Sequence, residues 1–228
     1  HRQQLGVADM VTPSPLCLRS LQAWLKLLAS AGGASFLVAF KVSWAGTWAK
    51  IVVFTSSDAA REGTDTPGLG GYCNGLYWYY PLSAEELALL TIGVLELLAV
   101  IFNILALWPL VRNFEAIAHQ CDALATPMVL AEHSARSPLM QEAIAGAMDD
   151  RTYVEAAESG KWAVAHLFGD GNVPADLVSR GHMARFFALM KAMRVRPREV
   201  SVPAGAHAIM TRVMTAARAW KAAAEDAP

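Results

Sequence analysis

The sequence is poor in charged residues, and its charges nearly cancel. Asp, Glu, Lys and Arg make up 17% of the 228 residues, with 19 basic against 20 acidic side chains. Because affinity for a phosphate backbone comes mostly from Lys and Arg, a nearly neutral chain is a poor stand-alone nucleic-acid binder. Any contact with nucleic acid would therefore need a local basic patch or an attached partner.

Cysteine is also scarce. The three cysteines, Cys17, Cys73 and Cys121, are odd in number and far apart. This spacing argues against a disulfide framework and against a zinc site, and it favours a reducing compartment. We therefore expect no zinc and an intracellular location, in the cytoplasm or the nucleus.

The chain has no signal-peptide pattern, and it starts at His1 without an initiator Met. We interpret it as a piece of a longer polypeptide. The hydrophobic fraction of 54% excludes a disordered chain, and the length suits one sizeable α/β domain with an extra segment.

One long apolar run, residues 87–111, is long enough to span a bilayer. Glu96 and Asn103 lie within it, and a charge in the hydrocarbon layer costs a few kcal/mol. A helix buried across a sheet is therefore the better interpretation, and no membrane partner is expected. A membrane-anchored protein remains the alternative, and it predicts that the purified chain depends on detergent.

The hydrophobic pattern divides the chain into three parts. Residues 1–49 are predicted to form a connection or tether, residues 50–198 a domain, and residues 199–228 a C-terminal extension. Strands are predicted at 51–55, 68–75, 76–80, 114–121 and 162–168. Helices are predicted at 83–109, 123–133, 137–150 and 174–193, with a turn at 169–172 and a capping box from Ser83 to Glu86. This order predicts an α/β fold with a mixed sheet.

Four acidic residues occur in the contexts that a two-metal nuclease requires. Asp58 follows an apolar strand, Glu96 lies inside the apolar helix, Asp122 follows another strand, and Asp176 lies near the start of a helix. Two Mg²⁺ ions need several convergent carboxylates, because Mg²⁺ prefers hard oxygen ligands.

Each carboxylate also has a structural alternative. Asp58 could be a turn residue, Glu96 could form a salt bridge, Asp122 could cap the next helix, and Asp176 could be favoured by a helix dipole. A carboxylate between Leu95 and Leu97 must find a cation, a donor or a metal, so Glu96 is the most informative of the four.

Two segments carry a family resemblance. The first, Asp-Ala-Ala-Arg-Glu-Gly at 58–63, resembles the Asp-Ala-x-x-x-Gly motif on the first strand of ribonuclease H domains. The second, at 166–180, is similar to the His-x-x-Gly-x-x-Asn-x-x-Ala-Asp-x-x-Ser-Arg segment of ribonuclease H domains in gypsy-like and tyrosine-recombinase retroelement reverse transcriptases. Glu96 and Asp122 resemble the family's helix Glu and fourth-strand Asp. Ser56-Ser57 departs from the usual Thr-Asp, which puts the register of the first strand in question.

The resemblance implies a ribonuclease H-like fold with a five-stranded mixed sheet, β1-β2-β3 antiparallel, and helices on both faces. It implies a nuclease that cuts the RNA strand of RNA–DNA hybrids with two Mg²⁺ or Mn²⁺ ions, attached to a reverse transcriptase polymerase domain. The predicted ligands are Asp58, Glu96, Asp122 and Asp176. A catalytically silent connection or interaction module is the alternative.

The remaining site residues belong to the second segment and the helix after it. His166 is predicted to protonate the leaving group or help product release, or else to be a hydrogen-bonded structural residue. Asn172 would orient substrate or shape the turn. Ser179, Arg180 and Arg185 are predicted to bind substrate. No acidic residue occurs from Arg180 to Arg198, so this basic stretch is predicted to bind a phosphate backbone. A solvated amphipathic helix is the alternative.

Overall fold

A computed structural model describes residues 52–64, 66–166 and 172–225. The predicted tether at 1–49 and most of the predicted turn at 169–172 lie outside these residues.

Six strands form one mixed sheet, in the order β5-β4-β1-β2-β3-β6. The strands are β1 Val52–Ala59, β2 Gly68–Cys73, β3 Leu76–Pro81, β4 Ala116–Cys121, β5 Trp162–His166 and β6 Arg198–Glu199. Strands β1, β2 and β3 are antiparallel neighbours, while β4 and β5 run parallel to β1. The prediction of five strands missed β6, because a strand of two charged residues has no hydrophobic pattern.

Eight helices connect and cover the described strands. They are α1 Ala84–Leu89, α2 Ile92–Val111, α3 Thr126–Glu132, α4 Pro138–Met148, α5 Arg151–Glu158, α6 Val173–Ser179, α7 Met183–Ala192 and α8 Ala204–Glu225. The capping box from Ser83 to Glu86 is confirmed, but it caps only the short α1. The single helices predicted at 83–109 and 174–193 are wrong, since the chain breaks at Leu90–Thr91 and at Gly181, whose φ is +64°.

The helices lie on both faces of the sheet. A Cβ on Gly70 would meet the backbone of Ser179 in α6, and a Cβ on Gly71 would meet the side chain of Asn103 in α2. Because consecutive strand residues point to opposite faces, α6 and α2 cover opposite sides. Helices α4, α5 and α8 then pack on α2 to form a second layer.

Helix α2 is the centre of the hydrophobic core. It is long and apolar enough to cross a membrane by length and composition, but 89% of its most apolar stretch is buried inside the protein. Its largest fully buried side chains include Leu97, Leu98 and Phe102. The prediction of a buried helix lying across a sheet is confirmed.

Strand β1 extends past Thr55, where the predicted strand ends. Ser56 and Ser57 lie within β1, where they pair with Tyr72 and Gly71 of β2, and Asp58 pairs with Gly70. The Ser56-Ser57 departure therefore leaves the strand intact. The expected α/β class is confirmed: a mixed sheet with β1, β2 and β3 antiparallel and helices on both faces.

Candidate active site

Three of the four predicted carboxylates converge at the C-terminal ends of the neighbouring strands β1 and β4. Asp58, Glu96 and Asp122 each offer a carboxylate oxygen, and these oxygens lie within 4.8 Å of one another. Below we call these three residues the acidic cluster.

The parallel pairing of β1 and β4 explains how two members of the acidic cluster meet. Ser56 lies beside Gln120 in this ladder, so two steps further along the strands bring Asp58 beside Asp122. Glu96 lies in the second turn of α2, the helix that crosses β1 and β2. The cluster therefore follows from strand register and helix position.

Burial changes the protonation of the acidic cluster. Asp58 and Glu96 are 5% and 7% exposed. Burial, opposed by a hydrogen bond from Ser179 and reinforced by neighbouring acidic charges, raises the pKa of Asp58 to about 6. Burial and then the charges of Asp58 and Asp122 raise the pKa of Glu96 to about 9. Without a cation, Glu96 keeps its proton at neutral pH.

Two oxygens of the acidic cluster are buried without a hydrogen-bond partner among the described residues. They are Glu96 Oε2 and Asp122 Oδ1. A buried polar atom without a partner costs free energy, and no described Lys or Arg forms a salt bridge with any of the three carboxylates. Hard oxygen donors with unmet negative charge are the set that Mg²⁺ or Mn²⁺ prefers, so these residues fit a divalent cation.

Asp176 lies near the acidic cluster but is not one of its three members. It is in the first turn of α6, and Arg180 Nε lies 2.6 Å from its Oδ1. Its charge is close enough to raise the pKa of Asp58. The structure therefore brings three predicted ligands together and shows the fourth in an ion pair.

Ser179 of α6 contacts the acidic cluster through Asp58. Its side chain is fully buried, its hydroxyl donates to Asp58 Oδ2, and its oxygen lies 3.0 Å from the carbonyl of Asp176. The predicted contact of Ser179 with a phosphate stays a prediction. Its hydroxyl holds the Asp58 carboxylate in one orientation.

Asn172 is likewise buried beside the site. It is 2% exposed, and its Nδ2 donates to the carbonyl of Ser57 at 2.9 Å. This bond ties the N-terminal end of α6 to β1, one residue before Asp58. Whether Asn172 also orients substrate stays a prediction.

His166 ends β5 at the same C-terminal end of the parallel strands. It lies beside Cys121 in the parallel ladder, and Cys121 immediately precedes Asp122. Its role in proton transfer or product release stays a prediction.

The two predicted arginines differ in their surroundings. Arg180 is partly exposed, pairs with Asp176 and donates to the carbonyl of Glu62 at 3.2 Å. Arg185 is exposed on α7 and has no hydrogen bond or ion pair to any residue that the structure describes. Arg185 is thus open to an anion, and their substrate roles stay predictions.

A polar network that the sequence did not predict lies beneath the site. His119 is fully buried, and its Nδ1 lies 2.7 Å from Thr55 Oγ1 and 3.0 Å from Asn103 Nδ2, while its Nε2 lies 3.1 Å from Ser57 Oγ. Trp78 Nε1 donates to Asn103 Oδ1, so the Asn103 amide must donate to Nδ1 of His119. Burial lowers the pKa of His119 to about 3, which keeps it neutral.

This network joins β1, β4 and α2, the three elements that carry or precede the acidic cluster. The one signal for it in the sequence is Asn103, a lone polar residue in an apolar helix. His119 has no such signal, because its partners come from distant parts of the chain.

Comparison with known proteins finds a likeness to solved structures. No protein-family model and no curated protein matches the sequence. The chain is similar to the solved structure of ribonuclease H1 from the halophilic archaeon Halobacterium salinarum, at 17% identity and a TM-score of 0.41. That match covers 59% of this chain and 98% of the other.

Proposed function

We propose that this chain is a metal-dependent nuclease that hydrolyses the RNA strand of RNA–DNA hybrids. The observation that carries the proposal is the acidic cluster at the C-terminal ends of β1 and β4, with two buried carboxylate oxygens that lack a partner among the described residues. Asp58, Glu96 and Asp122 would hold divalent cations, Mg²⁺ or Mn²⁺. Asp176 would become the fourth ligand once its ion pair with Arg180 is broken.

Bound divalent cations would supply positive charge for the attack of water on a phosphodiester and for the departing oxygen. The residues of the chain do the positioning. Ser179 fixes the Asp58 carboxylate, and the network around His119 fixes the two strands that carry Asp58 and precede Asp122. His166, which lies beside Cys121 in the parallel ladder, would exchange a proton with a leaving group.

Preference for RNA in a hybrid would come from contacts to 2′-hydroxyls and from the shape of the duplex. We also propose that the chain belongs to a retroelement reverse transcriptase, which would be its covalent partner. The support for this context is the segment 166–180, whose spacing of His, Gly, Asn, Ala-Asp and Ser-Arg resembles that group.

A catalytically silent module is the second candidate. One observation favours it: Asp176 is held in an ion pair with Arg180, which leaves three carboxylates rather than four. A silent module would fold and would not cleave a hybrid with any divalent cation.

The first test measures cleavage of a labelled RNA–DNA hybrid by the purified chain with Mg²⁺, with Mn²⁺ and with chelator. We expect metal-dependent cleavage of the RNA strand alone, and no cleavage of duplex DNA. Asp58→Asn should lower kcat about a thousandfold or more, because it removes a ligand of a metal centre that would stabilise the transition state by several kcal/mol.

Asp149→Asn is the matched control. Asp149 is an exposed carboxylate that pairs with Arg212 on the outer helical layer. This variant should cleave at the wild-type rate. Metal-dependent turnover that survives in Asp58→Asn would contradict the assignment, and a folded wild type that never cleaves would favour the silent module.

A further inference from the structure

Five basic residues form an exposed surface on α7 and the segment that leads to β6. This basic surface consists of Arg185, Lys191, Arg194, Arg196 and Arg198. No acidic residue occurs between Gly181 and Arg198, although the whole chain has 20 acidic against 19 basic side chains.

The basic surface is not neutralised by the protein itself. None of its five side chains has a hydrogen bond or ion pair within the described ranges, whereas Arg151, Arg180, Arg212 and Arg218 each have a carboxylate partner. Concentrated cations without partners repel one another, so an anion that binds them gains more than it would at paired arginines.

The backbone beneath the basic surface is held in place. Arg198 N donates to the carbonyl of Gly75 at 2.8 Å, and Val195 N donates to the carbonyl of Met190 at 2.9 Å. Arg196 and Arg198 line a cavity of about 420 Å³ against Asn74 and Gly75, at the tip of the β2–β3 hairpin. The cations are therefore presented on an ordered surface beside an open cavity.

The register of the sheet places the basic surface relative to the acidic cluster. Asp58 lies beside Gly70, while the hairpin tip at Gly75 is five residues further along. With a rise of about 3.3 Å per residue and strands about 4.8 Å apart, Arg198 lies roughly 20 Å from Asp58. Phe186 of α7 packs on Tyr72 of β2, two residues from Gly70, which faces α6. Helix α7 therefore lies on the same face of the sheet as Ser179, which contacts Asp58, while Glu96 reaches the cluster from α2 on the other face.

We propose that the basic surface binds the phosphate backbone of a nucleic-acid duplex at a distance from the cleavage position. At about 3.4 Å per nucleotide, that contact lies about six base pairs from the scissile phosphate. This inference rests on the proposed function, because the spacing from the acidic cluster has meaning only for a substrate that reaches both. The contact is to phosphates, so it is independent of base sequence.

The test compares Arg196→Gln/Arg198→Gln with Arg112→Gln/Arg136→Gln. Arg112 and Arg136 are also exposed and without an ion-pair partner among the described residues, but they belong to the α2 side of the sheet. Binding of a labelled RNA–DNA hybrid is measured in chelator over a range of salt concentrations, with thermal unfolding as the check on folding.

The Arg196→Gln/Arg198→Gln variant should bind the hybrid about tenfold or more weakly at low salt. The slope of log K against log salt should become shallower by about 2, since each lost phosphate contact removes about 0.9. The control should keep both the affinity and the slope of the wild type. In cleavage, KM should rise by more than kcat falls.

Equal affinity and slope in the two double variants would overturn the inference. So would a variant that binds hybrid normally and loses binding to phosphatidylserine vesicles, which would assign the surface to a lipid headgroup. The proposed function is tested separately. A wild type that binds hybrid with the expected slope and never cleaves it would contradict the nuclease proposal and still support binding at the basic surface.

Discussion

Glu96 is a carboxyl group in a nearly apolar setting. Its neighbours Leu95 and Leu97 are fully buried, and its own side chain is 7% exposed. Its ionised form is disfavoured first by burial and then by the charges of Asp58 and Asp122. No salt bridge to a described Arg or Lys relieves this cost, so the structural alternative considered for Glu96 is not seen.

The metal-free protein should lose stability as the pH rises. The folded state holds a proton on Glu96 up to about pH 9 and on Asp58 up to about pH 6, whereas the unfolded chain releases both near their ordinary values of 4.5 and 3.8. The folded state thus binds more protons than the unfolded state between about pH 4 and 9, and stability falls with pH across this window. We expect a loss of about 4 kcal/mol between pH 5.5 and 8.5 in chelator, since each proton that only the folded state retains costs about 1.4 kcal/mol per pH unit.

Glu96→Gln should remove most of that loss, because glutamine has no proton to release. Urea unfolding at both pH values measures it, and Glu155→Gln, at an exposed ion pair with Arg151, is the control. Added Mg²⁺ should raise the melting temperature of the wild type more at pH 8.5 than at pH 5.5, since a metal binds the deprotonated ligands. A flat pH profile for the wild type would contradict the buried, cation-free cluster.

At the scale of single residues, the sequence predicted the acidic residues better than the residues that hold them in position. Asp58 and Asp122 could be predicted because carboxylates at the ends of neighbouring strands tend to converge. Ser179 could not be assigned, because a helix residue faces substrate or sheet according to how its helix packs. Here α6 packs closely on β2, where Gly70 has no side chain.

Among the elements, α2 and the central strands are joined by a polar contact as well as by the core. Trp78 of β3 donates to Asn103 of α2 at 2.8 Å, and both side chains are fully buried. The contact passes directly over Gly71 of β2, where a Cβ would clash with Trp78 Nε1 and Asn103 Oδ1. Only glycine leaves room for this bond.

Gly71→Ala should therefore destabilise the protein by about 2–4 kcal/mol, through overpacking and the loss of a buried hydrogen bond. Gly93→Ala is the control, since a Cβ there would meet only the flexible end of Met140 at 3.1 Å. In the first turn of α2 that change should be neutral or stabilising by up to about 1 kcal/mol. Denaturant unfolding of both variants checks this, and equal stabilities would show that the contact over Gly71 is loose.

The predictions of element boundaries failed where tertiary structure decides them. Residues 83–109 have a continuous helical pattern, yet the chain breaks at Leu90, which is buried in the core with extended backbone. Residues 174–193 break at Gly181 because the chain must turn from α6 beneath Asp58 towards the hairpin tip. Helix α5 was missed because its apolar positions, Tyr153 and Ala156, are few.

On the scale of the whole molecule, the last helix is joined to the outer helical layer. Residues 199–228 were predicted to be an extension, and within them α8 buries Ile209, Met210, Val213 and Met214 in the main core. Arg212 pairs with Glu142 and Asp149 of the neighbouring α4 region, and Arg218 pairs with Glu85 of α1. An alanine-rich pattern alone could not predict this packing, because alanine is neutral between core and surface.

Val213→Ala should lower the free energy of unfolding by about 2 kcal/mol, because Val213 is fully buried in the core. Thr215→Ala, an exposed position on the same helix, should change it by less than about 0.5 kcal/mol. Chemical denaturation monitored by circular dichroism measures both. If the two variants were equally stable, α8 would contribute nothing to the fold.

The two-residue strand β6 also affects whether strands from other molecules can pair with this side of the sheet. It pairs with Leu76 and Tyr77 of β3, at the side of the sheet opposite β5, and it consists of two exposed charged residues directly after Pro197. A short, charged edge beside a proline is a poor template for strands from another chain, whereas an open edge of β3 would offer a ready one. This small strand should therefore protect the protein from edge-to-edge aggregation at that side.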